Sequence, residues 1–210
     1  MKGREPRVFV VDDDESVRTG LANLLESDGY TTETFASAAE YLGRSPHLGP
    51  ACLVLDVRLP GLNGLALQQQ LAERGRMEQI VFITGHGDIP MSVQALKRGA
   101  VDFLTKPFDD EALLNAVAQA LARSVEDWRE HDEVAQIRRH ITKLTRREFE
   151  VFRLVIAGLL NKQIAAELGA SIRTIKTHRG RMMRKLGVQS VAELVRLAQK
   201  VGVTPAAPCP

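Results

Sequence analysis

The chain has 210 residues, 44% of them hydrophobic and 26% charged, and a formal net charge of +2. That composition is ordinary for a globular protein and excludes a disordered, collagenous or coiled-coil fibre. No run approaches the roughly 18 apolar residues of a spanning helix, the opening MKGREPR lacks the apolar core of a secretory signal, and Cys52 and Cys209 are too few for a disulfide scaffold, so a cytoplasmic chain with no membrane partner is expected.

In chain order, short apolar runs at Val8–Val11, Thr31–Phe35, Cys52–Leu55, Ile80–Ile83 and Val101–Leu104 read as strands. Segments with helical spacing lie between them: Leu21, Leu24 and Leu25 share one face, and Leu65, Leu67 and Leu71 another. Val93 and Leu96, then Leu113–Leu121, supply two more, while Asn63 and Asp109 suit helix starts. Strands alternating with helices predict an α/β fold, a doubly wound five-stranded parallel sheet, whose ligands bind beyond the carboxyl ends of the strands. Those ends carry matched chemistry. The first strand ends in Asp12-Asp13-Asp14, the third in Asp56, the fourth in Thr84 and the fifth in Lys106-Pro107. Carboxylates gathered at one point repel one another and call for a cation. Oxygen donors without His or Cys favour Mg²⁺. Lys106 and the Thr84 hydroxyl then suit an anionic group arriving at Asp56, the set of parts that phosphoryl transfer uses.

Residues 5–123 resemble the receiver domain of two-component response regulators, through VFVVDDDESVR, LVLDVRLPGLNG, VFITGHGD and GAVDFLTKPF in order. The resemblance implies that Asp56 accepts a phosphoryl group from a sensor histidine kinase. It also implies Mg²⁺ held by Asp13, Asp56 and the Arg58 backbone carbonyl, with Asp12 acting through water, and Thr84 and Lys106 on the phosphoryl group. It makes Phe103 the aromatic switch, with core packing as the plainer reading, and the Lys106–Pro107 bond cis. Arg58 and His86 would border the site; His86 either orients water or is an exposed loop residue.

Charge divides the chain: residues 1–123 carry a net −5, residues 124–143 a net −1 and residues 144–210 a net +8. Two domains with different partners are expected, and the basic one suits nucleic acid. Residues 124–143 contain neither Gly nor Pro and continue a helical stripe through Val125 and Trp128, so a helical linker is expected, with a flexible tether as the alternative. Thr145-Arg146-Arg147-Glu148 is a capping box, Asn161 and Ser171 are candidate caps, and Ser190-Val191-Ala192-Glu193 is a second box. Four helices result, and the middle pair, joined through Gly169, reads as a helix-turn-helix. Projected at about 100° per residue, the third helix buries Ile172, Ile175, Met182 and Leu186. It exposes Arg173, Thr177, Gly180 and Arg184, flanked by Lys176 and Arg181, with Arg179 and Lys185 turned toward backbone phosphates. His178 reads as structural.

Residues 144–201 resemble the LuxR-type DNA-binding domain, through LTRREFEVFRLVIAGLLNKQIAAEL and SIRTIKTHRGRMMRKLGVQS. The pair of domains resembles the FixJ/NarL class of response regulators, closest to the FixJ branch. This implies phosphate contacts from Lys162, Thr174 and Arg179, and base-facing Lys176, Thr177 and Arg181. It further implies promoter DNA as partner, a homodimer when phosphorylated, RNA polymerase nearby, and a regulator that is not an enzyme. Residues 202–210 are expected to form a disordered tail. Two rivals stand beside this reading. One is a haloacid-dehalogenase-type phosphatase with Asp12 as nucleophile; the other is a constitutive DNA binder whose receiver only scaffolds a dimer.

Overall fold

The computed structural model describes residues 5–85 and 89–206; His86 lies outside them. Strict alternation along the strands decides which layer each side chain joins. Strands β1 (Arg7–Val11), β2 (Thr31–Phe35), β3 (Ala51–Asp56), β4 (Gln79–Thr84) and β5 (Asp102–Thr105) pair in parallel in the order β2-β1-β3-β4-β5. Phe9, Val11, Leu53, Leu55 and Phe82 point to one face, where α2 (Ala38–Gly43), α3 (Gly64–Glu73) and α4 (Ile89–Lys97) bury Tyr41, Leu67, Leu71 and Ala95. Val8, Val10, Cys52, Val54, Val81 and Ile83 point to the other, covered by Leu21 and Leu25 of α1 (Glu15–Ser27) and Leu113 and Val117 of α5 (Asp110–Ile141). The central strand β3 is buried along its whole length, as expected of a strand covered on both faces.

Helix α5 runs for 32 residues, through most of the segment expected as linker. Beyond the sheet's core it is held by polar contacts. The buried Ser124 hydroxyl accepts the Ala51 N–H at 2.9 Å, and Gln79 donates to Asp127 at 2.7 Å. By contact density the chain divides into residues 1–129 and 130–210.

The second unit packs α6 (Arg146–Ile156), α7 (Asn161–Glu167), α8 (Ile172–Leu186) and α9 (Val191–Val201) around Val151, Phe152, Ile164, Ile175, Met182 and Leu194. The capping box of Thr145 and Glu148 forms, and Ser171 and Ser190 cap α8 and α9. Three expectations need correction here. Asn161 is the first residue of α7 rather than its cap: Leu160 holds the cap position, its N–H is taken by Gln163, and Asn161 accepts from Arg179 at 3.0 Å. Ile172 is 45% exposed instead of buried, because α8 begins there and its first turn stands clear of the packed face. Residues 203–206, expected in a disordered tail, lie against α6. Arg153 donates to the Thr204 and Pro205 carbonyls, and Val203 and Ala206 join the core.

Candidate functional site

Parallel pairing brings the carboxyl ends of β1, β3, β4 and β5 to one edge. Asp12 follows β1, Asp56 ends β3 opposite Ile83, Thr84 ends β4, and Lys106 follows β5. The Lys106 backbone N–H donates to the Thr84 carbonyl at 2.7 Å, so the lysine leaves the sheet at the pocket. Its ammonium donates to Asp12 Oδ2 at 2.6 Å and to Asp56 Oδ2 at 3.3 Å. Asp12 and Thr84 are buried and Asp56 is 7% exposed, while Asp13 is open to solvent. Burial raises the Asp12 carboxyl above the ordinary aspartate range, against the pull of the Lys106 bond. Burial alone would lower the Lys106 ammonium, but the bond to Asp12 and the two nearby charges outweigh it and leave it raised.

The backbone holds the carboxylates still. The Asp14 N–H donates to Asp12 Oδ1 at 3.0 Å, and the Arg58 N–H donates to Asp56 Oδ1 at 3.1 Å. Asp14 in turn caps α1 through the N–H groups of Ser16 and Val17. Ligand oxygens of Asp12, Asp13 and Asp56 all lie within 4.8 Å of one another. Hard oxygen donors at that spacing fit Mg²⁺ rather than a metal bound through thiolate or imidazole. Phe103 sits half-buried on the edge strand β5, its ring 6.2 Å from that of Phe82.

In the second unit, Arg173, Thr174, Lys176, Thr177, Gly180, Arg181 and Arg184 are exposed along α8, opposite the buried Ile175, Met182 and Leu186. Lys162 is exposed on α7. Around Gly180 there is open space on the helix surface. Thr177 donates its hydroxyl proton to the Arg173 carbonyl at 3.0 Å, so toward a ligand it offers an acceptor and a methyl group. Lys185, expected to reach phosphates, is differently occupied. It donates to the buried carboxylate of Glu148 at 2.6 Å and to the Lys143 carbonyl at 3.1 Å, and so serves the domain's own core.

Residues 8–118 match the family of response regulator receiver domains, and residues 142–198 the luxR family of bacterial regulatory proteins. The chain is 45% identical to the transcriptional regulatory protein FixJ of Azorhizobium caulinodans over 95% of its own length and 94% of that protein's. The chain is a response regulator. It is also 47% identical to nodulation protein W of Bradyrhizobium diazoefficiens, over 94% of this chain and 87% of that one. Among solved structures, the response regulator StyR superposes with a TM-score of 0.83 at 50% identity, covering 93% of this chain and 99% of that one. A receiver followed by a LuxR-type DNA-binding domain makes this response regulator a transcriptional regulator. The phosphatase rival falls with that match. Receiver domains hold Mg²⁺ in an acidic pocket, and the Asp12, Asp13 and Asp56 cluster of this regulator has that character.

Two residues of the pocket escaped the sequence reading. Arg18, one turn into α1, donates to the Asp12 carbonyl at 2.7 Å and pins the β1–α1 corner. Gly64 opens α3 directly against β3: a Cβ there would stand 2.4 Å from the Asp56 carbonyl oxygen. Pro60–Gly61 is a turn signal in the sequence, but nothing local says that the next glycine touches the site.

Proposed function

We propose that the regulator is switched by transfer of a phosphoryl group from a sensor histidine kinase to Asp56. An Asp56 carboxylate oxygen attacks the phosphorus of a phosphohistidine; the P–O bond forms, the P–N bond breaks, and the imidazole leaves as the neutral ring after taking up a proton. Asp12, Asp13, Asp56 and the Arg58 carbonyl would hold Mg²⁺, which when bound supplies neutralisation of the phosphoryl oxygens' charge. The observation that carries this reading is the Lys106 ammonium lodged between Asp12 and Asp56 at the end of the buried strand. A movable cation already at the acceptor carboxylate can follow the added oxygens, with the Thr84 hydroxyl as a second donor.

The modification adds about −1.5 to −2 charge at Asp56. Thr84 moves toward the new oxygens, and Phe103 turns into the space behind it. The surface formed by residues 89–98 and 101–104, where Val93 and Leu96 are 42% and 45% exposed, then pairs two chains symmetrically. Paired regulators place two α8 helices about one DNA turn apart in the major groove of promoter DNA. Lys162, Thr174 and Arg179 contact phosphates, and Arg173, Lys176, Thr177, Arg181 and Arg184 line the base-facing side. RNA polymerase meets the bound pair at the promoter, in the cytoplasm. The chain itself acts as a regulator and not as an enzyme.

Beryllofluoride with Mg²⁺ tests the route. The wild-type chain should shift from monomer to dimer on sizing and bind selected duplex DNA about 5–150-fold more tightly, the range of an ordinary coupling energy. Asp56→Asn should do neither. An Asp56→Asn protein that still dimerises and binds in response would refute acceptor chemistry at Asp56, whereas DNA affinity indifferent to beryllofluoride in the wild type would favour the constitutive rival.

A further inference from the structure

The recognition helix is not the regulator's only cationic surface. The last turns of α5 and the loop after it, residues 134–147, contain no acidic residue. Gln136, Arg139, His140, Thr142 and Lys143 line a polar hollow there of about 400 Å³. Arg138, Arg139 and Lys143 are exposed, and none of them has an ion pair among the described residues. Cations at a helix C-terminus are stabilised by its dipole, which accounts for Arg138 and Arg139. It does not account for Lys143, two residues past the end of α5. The Lys143 carbonyl is gripped by Lys185 of α8 at 3.1 Å, and Lys185 is anchored in turn on the buried Glu148. The hollow is thereby fixed in register with the C-terminal end of α8.

We infer that the hollow lined by Arg139 and Lys143 is a second phosphate-binding surface, which grips the DNA backbone beside the groove that α8 enters. This rests on the reading of α8 as the DNA helix. Lys185 ties the Lys143 carbonyl to the C-terminal end of α8, the lining has the sign of charge that phosphates require, and among the described residues no apolar side chain lines it as an anchor for a protein interface. Its contribution is independent of base sequence, because side chains that meet only phosphate position the protein and carry no readout.

The experiment measures affinity of the full chain, by fluorescence anisotropy, for a duplex selected from a randomised library, across a range of salt concentrations. Each phosphate contact contributes about 0.9 to the magnitude of the slope of log K against log salt. Arg139→Ala with Lys143→Ala should therefore reduce that slope by about 2 and weaken all duplexes alike, leaving the ranking of single-base variants unchanged. Arg181→Ala should change the ranking. Shortening the duplex at its flanks should bring the wild type down to the double variant. An unchanged slope in a double variant that still binds overturns the inference and leaves the α8 reading intact. Loss of an acidic polyglutamate peptide, with the DNA slope unchanged, would assign the hollow to a protein partner and also overturn it. A wild-type chain that binds no duplex overturns both.

Discussion

A single missing side chain sets the position of Asp56, the proposed phosphoacceptor. Gly64 faces the Asp56 carbonyl oxygen at a distance that no real Cβ tolerates, and its own N–H donates to the Val57 carbonyl at 3.0 Å. The neighbours it would meet are backbone atoms, which cannot swing aside as a flexible side chain can. Gly64→Ala must push β3 and α3 apart, an overpacking strain of about 1–3 kcal/mol. The displaced atoms are those of Asp56 itself. A misplacement of about 1 Å at a reacting group can cost on the order of a hundredfold in rate. Gly64→Ala should therefore phosphorylate roughly ten- to a hundredfold more slowly from a small phosphodonor, as followed by phosphate-affinity electrophoresis, while its circular dichroism stays that of a folded receiver. A normal rate would mean that the corner relaxes without moving the acceptor.

At the level of elements, the buried Glu148 shows how α6 and α8 are locked together. Its carboxylate accepts from Lys185, from the Thr145 N–H at 2.8 Å, and it closes the cap of α6. Burial would raise the acid, but these bonds outweigh it and hold it below the ordinary 4.5. A depressed folded value means that the stabilisation is complete above the unfolded value and is lost as pH falls through the folded one. The helix-turn-helix unit should thus keep its full stability down to about pH 4.5 and lose part of it below. Glu148→Gln should cost about 1–2 kcal/mol at neutral pH, the range of a hydrogen bond to a charged group with one partner half-exposed. It should also flatten the acid limb of a stability profile measured by urea titration, and an unchanged limb would remove Glu148 from that role.

The same contact marks where the sequence stops being legible. The strands were readable to within a residue or two because a short apolar run is a local signal, and Asp56, Thr84 and Lys106 were readable because a parallel sheet delivers its strand ends to one edge. Lys185 was not, since a helical projection places it near the basic face but cannot see Glu148, 37 residues away. Ile172 misled the projection because periodicity ignores where a helix starts. Residues 203–206 looked like a tail, since their anchor is the distant Arg153.

Across the whole molecule, acid and base are segregated along with the cores. The sheet's two clusters draw on residues 8–121, the helical cluster on residues 141–206, and among the described residues no core residue is shared. Units with separate cores have no thermodynamic reason to melt together unless something else couples them. Calorimetry of the full chain should then resolve two transitions, and ligands should identify them. If Mg²⁺ is held by the folded acidic pocket as proposed, a hundredfold excess over its Kd should add about 2.7 kcal/mol to the receiver alone, raising that midpoint by several degrees. Glu148→Gln should lower only the other transition. The cross-terms carry the argument: if Mg²⁺ also raised the Glu148-dependent midpoint, or if both perturbations moved one common transition, the units would unfold as a single cooperative body. Folding stability would then already link the pocket to the DNA-binding helices before any phosphoryl group arrives. Independent midpoints would instead require that the signal pass through a change made only on phosphorylation, such as the pairing of two receivers.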